Sequence, residues 1–140
     1  MRSFFIGENM EKISRSKQRE QAFFLIFEEL FGHDSKEAVE LYGENVEPLG
    51  EWAIDVYNGV CNNKEKLDET ISANLDNWKI NRIPKVNLAI LRLSVYELLF
   101  LEDVPDSASI NEAVELAKKY SGKKDAAFIN GVLGSVEGKK

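Results

Sequence analysis

Cysteine and histidine are nearly missing from this sequence: Cys61 and His33 are the sole residues of their kinds among 140. A single cysteine excludes an internal disulfide, and the pair supplies too few ligands for a zinc site. Spacing does not forbid Cys–His nucleophilic catalysis, but no third residue or motif supports it. A membrane-length apolar run is also lacking. The most apolar stretch, Ile83–Leu101, is interrupted by Asn87, Arg92 and Glu97, whereas a span needs about 20 largely uncharged residues. With no signal-like segment either, a reducing cytoplasm is the simplest expectation. Strand-like alternation never lasts beyond a few residues, and no internal repeat stands out. Basic excess is absent too. A net charge of −6 argues against a protein coated in positive surface, though it leaves room for a local patch. Length favours one compact domain, and a hydrophobic content of 44% is enough for a core.

What is present is helix after helix. The chain is organised around Ile83–Leu101, IPKVNLAILRLSVYELLFL. Pro84 suits a first helical position, where its missing N–H loses nothing and its φ is already helical. Val86, Ile90, Leu93 and Glu97 form one stripe and Leu88, Leu91, Val95 and Leu98 another, the pattern of a central helix covered by neighbours. The EDVPD segment at Glu102–Asp106 reads as a turn.

Upstream, residues 1–11 are expected to be an arm or extension, with a helical domain over 12–140. Lys12, Arg15, Lys17 and Arg19 occupy a stretch without an acid. Phe23, Ile26, Phe27 and Leu30 then mark an amphipathic helix, with Ser14 or Ser16 as its cap. Phe24 and Phe31 fall off that stripe and are expected to pack inside. A short helix is expected over Lys36–Tyr42 and a loop over Gly43–Gly50. Trp52, Val56, Tyr57 and Val60 mark the next helix, and Leu67, Ile71, Leu75 and Trp78 another. Ser109-Ile110-Asn111-Glu112 has capping-box spacing, and Lys118 and Lys119 fall in that helix's last turn, where cations suit the dipole. Asp125 is expected to cap a final helix bearing Phe128, Ile129, Val132, Leu133 and Val136. Gly131 within it costs about 1 kcal/mol against Ala, which predicts close packing at that point.

Three blocks, AILRLSVYELL at Ala89–Leu99, INEAVELAKKY at Ile110–Tyr120 and FINGVL at Phe128–Leu133, resemble the NusB family of bacterial transcription antitermination factors. NWKINRIPKV, Val104-Pro105 and a weaker block, REQAFFLIF at Arg19–Phe27, fit the same pattern. Similar modules front certain ribosomal RNA methyltransferases, but this chain has no room for such a domain, so a stand-alone factor is expected.

The resemblance implies an all-α fold of two small helical bundles packed into one compact domain. It implies binding of single-stranded boxA RNA from ribosomal RNA leaders together with NusE, a small-subunit ribosomal protein, within the RNA polymerase antitermination complex. It implies no catalysis, cofactor or metal, and leaves monomer and homodimer open. By position, Arg15, Lys17 and Arg19 match the family's RNA-contacting N-terminus, and Lys118, Lys124 and Phe128 its second RNA-facing segment. Phe27, Asn87 and Glu97 lie in blocks that approach the partner protein. Several positions depart from the family. Arg15-Ser16-Lys17 replaces a run of arginines, Phe27 a tyrosine, Asn87-Leu88 an acid–base pair, and Lys123-Lys124 an acidic loop. Arg92 matches, and a guanidinium in a buried helix must have acceptors. A protein-only helical interaction module with little RNA affinity of its own is the competing reading.

Overall fold

The structure, a computed structural model, describes residues 13–32, 39–40, 42, 46–76 and 79–140. The N-terminal arm, Lys12, most of Lys36–Tyr42, His33 and Trp78 lie outside the described residues. All regular structure among the described residues is helical, as expected. No helix among them is long and apolar enough to cross a membrane. The chain divides into two compact units, Met1–Cys61 and Asn62–Lys140.

The first unit contains α1 (Arg15–Glu29) and all but the last residue of α2 (Glu51–Asn62). Ser14 caps α1, its hydroxyl accepting from the Lys17 N–H at 3.0 Å, which satisfies one of the helix's orphan donors. Ala22, Phe23, Leu25 and Ile26 are buried on α1, and Ala53, Val56, Tyr57 and Val60 on α2. Two glutamines join these helices. The Gln18 Oε1 accepts from the Ala53 N–H at 3.1 Å, and the Gln21 Oε1 accepts from the Gly50 N–H at 3.0 Å. Side chains of α1 thus cap the start of α2. A Cβ at Gly50 would overlap the Gln18 side chain and force it off its cap. Phe31 departs from expectation. It is 56% exposed, and its ring meets Phe27 edge-on at 5.1 Å.

The second unit contains α3 (Lys64–Ala73), a 3₁₀ turn (Ile80–Arg82), α4 (Lys85–Phe100), α5 (Asp106–Tyr120) and α6 (Lys123–Gly138). As its apolar faces predict, α4 is central and packs against α3, α5 and α6. Leu67, Ile71, Ile90, Leu91, Leu93, Ile129 and Leu133 are almost fully buried. Gly122, at φ 148°, makes the tight link between α5 and α6, a conformation that glycine tolerates best. Polar clasps tie the helices. Arg92 grips Asp68 through Nε at 2.9 Å and a terminal nitrogen at 2.8 Å, which supplies the acceptors that its burial demands. The Ser135 hydroxyl donates to Asn74 at 2.7 Å.

Two expectations fail here. Ser109 lies inside α5, which begins at Asp106 with Pro105 as its cap residue. Its hydroxyl donates to the Glu97 carboxylate at 2.8 Å instead of accepting from a backbone N–H. Gly131 is exposed, and a Cβ added there meets nothing within 4 Å, so packing does not require it.

Candidate nucleic-acid interface

In the first unit, Arg15 and Arg19 stand one turn apart on α1, and both guanidinium groups lie over Trp52 of α2, at 4.4 Å and 5.4 Å from its ring. The electron-rich indole face attracts cations. Arg15 remains exposed, whereas Arg19 is only 5% exposed. The expected RNA-contacting role is therefore corrected for Arg19: it shares the Trp52 ring with Arg15, but the surrounding protein covers it.

Lys17 points to a different neighbourhood. Its ammonium lies 3.3 Å from Glu20 and 3.4 Å from Glu47. Desolvation disfavours the charged form, but the hydrogen bond with Glu20 and the charges of Glu47 and Glu20 outweigh it, so the pKa is raised. Lys17 is thus a cation already compensated by two carboxylates. Glu47 is itself anchored, accepting from the Gln21 amide at 2.7 Å.

In the second unit, Lys124 and Phe128 come together with Arg82, Ile83, Pro84, Asn87 and Asp125 around an open cleft of about 540 Å³. Phe128 is half-buried and also borders a second cleft, lined in part by Asn74, Leu75 and Gly131. Its ring is neither wholly core nor wholly solvated. Lys123 and Lys124 form the first turn of α6, not the loop expected for them. Cations there oppose the helix dipole, so local helix stability does not account for their presence. Lys118, exposed in the last turn of α5, pairs with Glu115 at 3.5 Å.

Two of the first cleft's lining residues, Asn87 and Asp125, belong to a polar cluster completed by Ser121. The Asn87 amide donates to Asp125 at 3.0 Å. The Ser121 hydroxyl lies 2.6 Å from the other Asp125 oxygen and 3.0 Å from the Asn87 carbonyl. Hydrogen bonds from Ser121, then Asn87, with Lys124 nearby, hold the Asp125 carboxyl below its usual pKa despite some desolvation. Asp125 therefore does not cap α6, whose cap residue is Gly122.

The residues matched to the partner protein separate. Phe27 is half-buried between Phe23 and the exposed Phe31, with ring centroids at 6.0 Å and 5.1 Å. Asn87 and Glu97 are each only 1% exposed and bonded internally. Direct contact through them gives way to structural roles. Sequence reasoning missed Trp52, Arg82 and the two capping glutamines. Gln18 and Gln21 do carry a signal, because with Ala22 and Leu25 they repeat at i, i+3, i+4 and i+7 on the buried face.

All regular structure among the described residues is helical, and aromatic rings stand beside cations on it, an arrangement suited to binding. The NusB family model matches residues 16–138, and the chain belongs to that family. Transcription antitermination protein NusB of Clostridium botulinum (strain Kyoto / Type A2) is 46% identical over 142 aligned positions, covering 89% of this chain and 99% of the relative. The protein of the same description from Clostridium novyi (strain NT) is 42% identical over 130 residues, covering 89% and 98%. Among solved structures, T. maritima NusB superposes with a TM-score of 0.80 at 30% identity, covering 90% of this chain and 92% of that one. Antitermination factor NusB, in a crystal structure with NusE and dsRNA, superposes with a TM-score of 0.77 at 29% identity, covering 90% and 97%.

Proposed function

We propose that this chain is a transcription antitermination factor whose helical part, residues 12–140, binds single-stranded boxA RNA of ribosomal RNA leaders. It acts with a NusE-type ribosomal protein, in the cytoplasm, and joins the antitermination complex on RNA polymerase. The observation that carries this reading is the cleft where the half-buried Phe128 ring adjoins Lys124 and Arg82. Single-stranded RNA is held by aromatic rings that stack on splayed bases and by cations that meet phosphates. Exposed Arg15 on α1 is a second phosphate contact. Arg19 shares the Trp52 ring with it, and Lys17 contributes less because Glu20 and Glu47 already hold it. Lys118 adds a weaker, exposed charge.

For the partner, the aromatic side of α1 around Phe27 and exposed Phe31 is the surface we assign to the NusE-type protein. The acidic pI near 4.9 makes cooperation sensible, because a net negative chain gains little from non-specific attraction to a polyanion.

Titrating labelled boxA RNA with and without the NusE-type protein tests the reading. Arg15→Ala is expected to weaken binding and flatten the slope of log K against log salt by about 0.7, the contribution of one phosphate on a single strand. Phe128→Ala is expected to lower affinity by about 1–3 kcal/mol with the slope unchanged. Partner binding without any RNA affinity, alone or in the complex, would leave the protein-only module as the answer.

A further inference from the structure

The polar cluster of Asn87, Ser121 and Asp125 has a chemistry of its own. Asp125 has each carboxylate oxygen engaged once, by Asn87 and by Ser121. An ionised carboxylate has about four acceptor sites, so it retains capacity toward the cleft that it lines together with Phe128 and Pro84. Asn87 and Ser121 fix its position, and the bonds they donate favour the charged form. Lys124 and Arg82 bring positive charge to the same cleft, which suits a nucleotide's phosphate while leaving the carboxylate for its base.

We propose that Asp125 selects the base seated against Phe128, accepting a hydrogen bond from an exocyclic amino group, so that the cleft prefers cytosine to uracil at that position. The two pyrimidines have similar size and shape. On the edge away from the sugar, cytosine presents an amino donor where uracil presents a carbonyl oxygen. A fixed carboxylate attracts the first and repels the second. This selection rests on the RNA-binding reading above and deepens it by naming what the cleft accepts.

The test compares single-stranded oligocytidine and oligouridine of about twelve nucleotides by fluorescence anisotropy, at low salt, with the full chain, alongside boxA RNA. Hydrogen bonds to charged groups are strong enough that oligocytidine is expected to bind about tenfold more tightly. Asp125→Asn offers a donor as well as an acceptor and is expected to bring the two affinities within about twofold, with helicity by circular dichroism as the check on folding. Equal affinities in the unaltered protein, or a preference for oligouridine, would overturn the selection while leaving RNA binding intact. A preference that persists in folded Asp125→Asn would overturn the role of Asp125. Failure to bind any of the three RNAs, with or without the NusE-type protein, would overturn the RNA reading beneath it.

Discussion

Ser109 and Glu97 form a buried pair between α5 and α4, the hydroxyl donating to the carboxylate at 2.8 Å with each residue only 1% exposed. A carboxylate inside a helical unit is tolerated only when donors surround it, and Ser109 is one of them. Ser109→Ala is therefore expected to destabilise the protein by about 1–3 kcal/mol, the cost of weakening a buried charged group's hydrogen bonding. Ser109→Thr keeps the hydroxyl and should lose less. Urea unfolding monitored by circular dichroism measures both.

Arg15 and Arg19 should separate by stability as well as by binding. Arg19 is nearly buried against Trp52, so Arg19→Ala removes a desolvated cation–π contact along with packed side-chain atoms, at a cost of about 2 kcal/mol. Arg15 is exposed, and Arg15→Ala should cost about 0.5 kcal/mol. Thermal melts of the two single variants check the order, and they make Arg15→Ala the cleaner probe of RNA contact.

Two glycines should respond in opposite directions. Gly131→Ala adds a methyl group that meets nothing, within a helix that Ala favours, and is expected to stabilise by about 1 kcal/mol. Gly50→Ala drives a Cβ into Gln18 and disturbs the cap on Ala53, and is expected to destabilise. Calorimetric melting temperatures on either side of the unaltered protein would bear out the pair.

Asp125 sets an acid dependence. Its folded pKa lies below the ordinary carboxyl value, so its contribution is complete above the unfolded pKa and is lost as pH falls through the folded one. Ser121→Ala removes the largest cause of that depression. Going from about pH 5 to below about pH 3, the unaltered protein should lose more stability than Ser121→Ala, and the gap between them should narrow. Denaturant midpoints across that range provide the measurement.

The helices were legible because their signals are local. Apolar spacing, Pro84 and Ser14 mark α1 and α4 within a residue or two. Arg92 was legible in kind, since a guanidinium inside an apolar helix needs acceptors, but nothing local points to Asp68 as its partner. Ser109 misleads for the opposite reason: a complete capping-box pattern stands three residues inside a helix that begins at Asp106. The hydroxyl is taken by Glu97, twelve residues away, through a contact that only tertiary structure creates. Arg15 and Arg19 stood out as basic residues near the start of α1, but helical spacing does not say that Trp52 lies under both. The cleft was half legible. Phe128 and Lys124 stood out as binding residues, whereas Asp125, read as a cap, takes its role from Asn87 and Ser121.

The glutamine caps have a consequence for how the first unit comes apart. The amide protons at the start of α2 answer to Gln18 and Gln21, residues more than a full helix earlier in the chain. Fraying at the beginning of α1 is thereby transmitted to α2 without passing through the intervening segment. The two helices should open to solvent as a single cooperative event, so that shortening the chain from its N-terminus past Gln18 unravels a helix the truncation never touches.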